Sequence, residues 1–151
     1  MLIIGDKAPT FSLKNQNDEN ISLEDFKGKK VLLWFYPKAS TPGWTVQGQG
    51  LRDEFKNFQN KNVEIVGMSA DPVKKQKSFC EKQKFPFSLV SDETKETIKA
   101  YGAWGLKKFM GREYEGIQRY SYLINENGSI EKTYFKVNTK THAKDVLSEI
   151  S

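Results

Sequence analysis

One cysteine (Cys80) and one histidine (His142) are all that 151 residues hold of either kind. A lone thiol cannot close an intramolecular disulfide, which excludes a small secreted fold stapled by disulfides. One histidine with one cysteine cannot build a structural zinc site without carboxylate help, and no metal is expected. Charge of one sign is scarce as well. Lys and Arg number 24 against 19 Asp and Glu, a net +5, and the basic runs are only the pairs Lys29-Lys30, Lys74-Lys75 and Lys107-Lys108. A nucleic-acid arm or a polybasic membrane anchor is therefore disfavoured. No apolar run approaches the length of a membrane span. The first residues, MLIIGDKAPTF, lack the basic region and long apolar core of a secretory signal. The expectation is a soluble, cytoplasmic protein with neither nucleic acid nor membrane as partner.

What is present suits one compact domain over residues 1–151: 37% hydrophobic and 28% charged residues, without linker, repeat or low-complexity segment. Phe11-Ser12-Leu13 and Ile21-Ser22-Leu23 alternate on either side of a polar turn and predict an N-terminal β-hairpin. Val31 to Tyr36 is a continuous apolar run stopped by Pro37, as in a strand buried on both faces. Beyond the loop Pro37 to Gly43, Leu51, Phe55 and Phe58 fall at helical spacing. Val63 to Ser69 reads as a strand. Asp71-Pro72 reads as a helix start with an acidic cap, and the helix carries Val73, Phe79 and Cys80. A short strand at Phe87 to Val90 and a short helix from Thr94 to Tyr101 follow. Two strands flank the hairpin turn Glu126-Asn127-Gly128, and a helix from Thr141 to Ile150 ends the chain. Strands alternating with helices imply an α/β fold whose central mixed sheet is covered on both sides. Ligands in such sheets bind beyond the carboxyl ends of the strands, which directs attention to residues 37–50.

Within that segment, Pro37 and Thr41 stand at the spacing of a Pro, three residues, Thr or Ser, two residues, Cys motif. The segment resembles the active-site loop of the peroxiredoxins. Phe35-Tyr36-Pro37-Lys38, Thr41-Pro42-Gly43 and Gly50-Leu51-Arg52-Asp53 resemble the bacterioferritin-comigratory, or PrxQ, branch. So do Gly5-Asp6-Lys7-Ala8-Pro9 with Phe11, Pro86-Phe87 with Ser91-Asp92, and Arg119 ahead of Tyr122-Leu123-Ile124. The resemblance spans nearly the whole chain and implies a thioredoxin-like fold with no metal, haem or flavin. It implies a thiol peroxidase that reduces hydrogen peroxide and organic hydroperoxides and is itself reduced by thioredoxin or a similar dithiol. A monomer or weak homodimer is expected. Pro37, Thr41 and Arg119 carry over as site residues. Taken one at a time, Pro37 could simply end a strand, Thr41-Pro42-Gly43 could simply begin a helix, and Arg119 could be a surface cation.

The chemistry of such a loop has a physical basis. A thiol at a helix N-terminus meets unpaired N–H groups and the positive end of the helix dipole. With a nearby arginine, these lower its pKa from about 8.5 to roughly 3.5–7.5. The thiolate attacks one peroxide oxygen while N–H groups, a hydroxyl and a guanidinium hold the pair in line and stabilise the leaving oxygen. The position of the peroxidatic cysteine here holds Trp44, which has no ionisable thiol. The chain as written is expected to be inactive through this site. Two origins account for Trp44: replacement of the nucleophile in an intact peroxidase, which the retained Thr41 and Arg119 favour, or a natural pseudoenzyme that uses the scaffold to bind protein. An indole overfills a pocket sized for two oxygens beside a sulfur. Either the first helical turn unwinds or the ring turns outward.

Cys80 lies 80 − 44 = 36 positions beyond Trp44. The resemblance implies that it is the resolving cysteine, since the alternative slot five residues beyond position 44 holds Gln49. Without the resemblance, a buried structural cysteine is the simpler reading. A thiol reductase acting through Cys80 lacks the second sulfur of a Cys-x-x-Cys motif. Among the remaining candidates, Gly48-Gln49-Gly50 is too short for a dinucleotide fingerprint. His142 reads as solvent-facing. Gln47 reads as a pocket-rim or a solvated helix residue. Asp53 and Glu54 suit surface ion pairs. Trp104-Gly105-Leu106 with Phe109-Met110 reads as an apolar loop that caps the core or meets a second copy.

Overall fold

A computed structural model describes residues 2–36, 42–109, 111–118, 120–135 and 137–150; the side chains of 42–44 and 107–109 are also outside the description. The run from Val31 becomes β3 (Lys30–Phe35), and its alternation divides the core. Leu32, Trp34 and Tyr36 enter one apolar cluster, while Val31, Leu33 and Phe35 enter the other. Both faces of β3 are thus buried, as a continuous apolar strand requires.

β3 pairs in parallel with β4 (Val63–Ser69) and antiparallel with β8 (Ser121–Ile124). β4 pairs in parallel with β5 (Ser88–Ser91). The expected hairpin of β1 (Ser12–Lys14) and β2 (Asn20–Ser22) joins β5 through Lys14 opposite Ser91. β9 (Ile130–Tyr134) closes the other edge, giving the order β2-β1-β5-β4-β3-β8-β9. Gly128 sits at φ +82 in the β8–β9 turn, a conformation that favours glycine.

The first cluster is covered by α1 (Pro42–Asp53), α2 (Phe55–Asn60), α3 (Val73–Gln83) and α5 (His142–Glu149), through Leu51, Phe58, Phe79 and Val146. The second is covered by α4 (Glu96–Ala100) through Ile98, together with Ala8, Phe11 and Leu23. A central mixed sheet between helices is the α/β architecture expected of a thioredoxin-like fold.

Three local expectations need correction. The helix read through Leu51, Phe55 and Phe58 breaks at Glu54, which separates α1 from α2. The cap of α3 falls on Pro72, in extended backbone, and not on Asp71. A residue before proline is pushed out of helical geometry, and the Asp71 carboxylate instead accepts from the Ser69 hydroxyl at 2.8 Å. The stretch at Trp104 is not a loop. It is β6 (Trp104–Phe109), paired antiparallel with β7 (Arg112–Ile117) in a separate ribbon. The Trp104 ring packs against the second cluster, with the ammonium groups of Lys95 and Lys99 5.0 and 5.7 Å from its centre. The partly buried ring fits the core-capping reading of that stretch.

Candidate functional site

Parallel pairing puts the carboxyl ends of β3, β4 and β5 on one edge, and antiparallel β8 begins there. Two backbone bonds fix this junction. The Phe35 N–H donates to the Tyr120 carbonyl at 3.0 Å, and the Tyr36 N–H donates to the Met68 carbonyl at 3.1 Å. The chain leaves β3 at Tyr36 and approaches β8 at Tyr120 as neighbours. Pro37, Thr41 and Arg119 lie outside the described residues.

Trp44 is described in its backbone only. α1 is helical from Pro42 onward, so the first turn does not unwind to accept tryptophan. The orientation of the ring lies outside the described side chains. Gln47, one turn further, is only 1% exposed, against its reading as a rim or solvated residue. Among the described residues, neither polar atom of its amide has a hydrogen-bond partner. α1 sits close to its neighbours because of its glycines: a Cβ on Gly48 would stand 2.4 Å from the Phe85 ring. The Arg52 guanidinium donates to the Gln83 carbonyl at 2.8 Å, and the Gln49 amide donates to Gln83 Oε1 at 2.8 Å. Arg52 also pairs with Asp53 at 3.0 Å, the surface pair expected there.

Behind the strand ends lies a buried polar chain. The Tyr36 hydroxyl donates to Gln76 Oε1. The Gln76 amide nitrogen donates to Ser69 Oγ and to the Val90 carbonyl, both at 2.9 Å. Burial pushes the Tyr36 hydroxyl far above its ordinary value, so it stays neutral and donating. Sequence reading missed this group. The signal was Gln76 itself, a polar residue on the same stripe of α3 as Phe79 and Cys80.

Cys80 is buried on α3, with Sγ 3.3 Å from the Phe85 carbonyl that accepts its proton. Gln16, in the β1–β2 turn, donates to that sulfur at 3.4 Å. Burial pushes the thiol above its ordinary pKa, and the Gln16 donor pulls the other way. His142 is not solvent-facing. It is 2% exposed, packs edge-on against Tyr134, and its Nε2 has no partner among the described residues. Burial drives its pKa down to about 4, with Asp145 acting in the opposite direction.

The AhpC/TSA family matches residues 4–133. The chain belongs to that family of peroxiredoxins. Peroxiredoxin Bcp of Escherichia coli K12 is 44% identical over 144 residues, covering 95% of this chain and 92% of that protein. The structure of a cysteine-to-serine mutant of Xylella fastidiosa PrxQ superposes with a TM-score of 0.93 at 31% identity, over 99% of this chain and 95% of that one. Two further peroxiredoxin Q structures, from Xanthomonas campestris, have TM-scores of 0.86 at 32% and 31% identity, and cover 91% of this chain. They cover 87% and 88% of their own chains. Each has one cysteine replaced by serine, and the two replaced positions are 36 apart. As a peroxiredoxin, this chain is a thiol-dependent peroxidase scaffold, a class that takes a peroxide and a thiol reductant. Among the described residues, no helix is long and apolar enough to cross a membrane.

Proposed function

We propose that this chain is a single-domain peroxiredoxin, over residues 1–151, silenced at its nucleophile. Position 44 is the peroxidatic slot, Pro37, Thr41 and Arg119 frame the peroxide, and Cys80 is the resolving cysteine. The observation that carries the reading is the strand-to-helix junction after Tyr36, where α1 begins in the motif segment and the motif's cysteine position holds tryptophan. The 36-residue interval between Trp44 and Cys80 supports the pairing, since it equals the interval between the cysteines replaced in the Xanthomonas campestris chain.

With cysteine at position 44, the thiolate attacks one peroxide oxygen, the O–O bond breaks, and the second oxygen leaves as water or alcohol after taking a proton. The resulting sulfenic acid is attacked by the Cys80 thiolate. An S–S bond forms and hydroxide leaves as water. A dithiol such as thioredoxin then reduces the disulfide. An indole at position 44 supplies none of these steps.

Thioredoxin-coupled consumption of hydrogen peroxide and an organic hydroperoxide, by this chain and by Trp44→Cys, tests the reading. Turnover in the variant alone is expected. Turnover in neither chain favours a natural pseudoenzyme that uses the scaffold to bind protein. Turnover in the unaltered chain overturns the role given to position 44.

A further inference from the structure

Gln16 lies 64 positions from Cys80 in sequence, yet its amide is fixed on three sides. Its Oε1 accepts the Leu89 N–H at 2.9 Å. Its Nε2 donates to the Phe87 carbonyl at 3.2 Å and to Cys80 Sγ at 3.4 Å. The first two bonds are made to the backbone at the start of β5, where the side chain takes the place of a strand neighbour. They orient the amide and leave its second nitrogen proton aimed at the sulfur. The turn that carries Gln16 is itself rigid, because Asn15 Oδ1 accepts from the N–H groups of Asn17 and Glu19 at 2.9 and 3.1 Å.

We propose that Gln16 is the positioning residue of the Cys80 thiol, holding the sulfur at the seam of α3 and β5 and supplying the N–H that stabilises its thiolate. The assignment rests on the resolving role proposed for Cys80. In that role the thiolate is the attacking species, so a donor on sulfur enlarges the reactive fraction at a given pH. The thiol's own proton lies toward the Phe85 carbonyl, on another side of the sulfur. The ionisable groups that bear on it are Glu81 on its own helix and Tyr36 from the end of β3. Neither is a donor to the sulfur in this structure.

Because the chain has one cysteine, carbon-13 labelling of cysteine gives a single Cβ resonance whose titration reports ionisation in the folded whole protein. Gln16→Leu removes the donor without adding charge, and Gln16→Glu keeps an acceptor for Leu89 while removing the donor. Both are expected to move the midpoint upward, Gln16→Leu by about one pH unit, a tenfold loss of thiolate at fixed pH. Iodoacetamide alkylation is expected to slow to match. An unmoved or lowered midpoint, or faster alkylation, overturns the proposal, since loosening a turn that only covers the sulfur would expose the thiol and relieve the effect of its burial. Failure of Trp44→Cys to form a disulfide with Cys80 would remove the resolving role and leave the titration result standing.

Discussion

The Tyr36 hydroxyl donates to the side-chain oxygen of Gln76, joining the residue that follows β3 to the helix that carries Cys80. Gln76 is fully buried and also serves Ser69 and Val90. Removing it strands buried donors and acceptors, each at about 1–3 kcal/mol. Gln76→Leu is expected to cost on the order of 3 kcal/mol, seen as a fall in Tm of roughly 6–12 °C. Tyr36→Phe, which strands only one acceptor, should cost about half as much. Equal Tm values for wild type and Gln76→Leu would show that the chain of bonds contributes nothing net.

Gly48 and Gly50 of α1 should respond oppositely to alanine. Alanine gains up to about 1 kcal/mol over glycine inside a helix. At Gly50 the new methyl meets Ala143 at 3.9 Å, an ordinary contact, so Gly50→Ala is expected to raise Tm. At Gly48 it meets the Phe85 ring at 2.4 Å. That ring cannot step aside, because it stacks on Phe87 at 5.0 Å and meets Phe79 edge-on at 4.9 Å. Overpacking of this kind costs about 1–3 kcal/mol and outweighs the helix gain. Thermal denaturation of the two variants side by side checks the pair.

Buried His142 makes stability depend on pH. Its folded pKa, about 4, lies below the ordinary 6.5. Above pH 6.5 both folded and unfolded chains hold it neutral, and no difference arises. As pH falls from 6.5 toward 4 the unfolded chain takes up a proton that the folded chain refuses. Stability is lost across that window, by about 3 kcal/mol at its acid end. His142→Leu should flatten the urea-denaturation profile between pH 6.5 and 4. Parallel profiles for the two proteins would refute the assignment.

Asp92 is buried and accepts the Ile98 N–H of α4 at 2.8 Å, a cap contributed from outside the helix. Asp92→Ala is expected to cost about 1–2 kcal/mol, and Asp92→Asn less, since its oxygen still accepts. Chemical denaturation of both variants would show the difference.

The strands buried on both faces were legible because an unbroken apolar run admits few other readings, as at Val31 to Tyr36. The β6–β7 ribbon was not. It pairs Lys107 with Tyr114 and Lys108 with Glu113, and charged rungs leave no apolar alternation to read. His142 was misplaced although the pattern was available: His142, Ala143 and Val146 share the buried face of the last helix. Polarity outweighed position in that reading. Gln47 failed for the same reason, one turn before buried Leu51. The motif segment was legible only through its resemblance to a family. The Tyr36–Gln76–Ser69 chain was not, because its members meet only when three separate elements pack.

The place of β3 in the sheet also bears on how the chain is made. Its parallel partner β4 leaves the ribosome soon after it, but its other partner lies far downstream, with Val31 opposite Ile124, 124 − 31 = 93 residues later. Until β8 has been synthesised, one edge of an apolar strand stands unpaired beside a nearly complete sheet. A nascent or truncated chain ending near residue 118 therefore exposes Val31 to Phe35 as a template for association with other chains. The last fifth of the polypeptide acts as the seal on that edge.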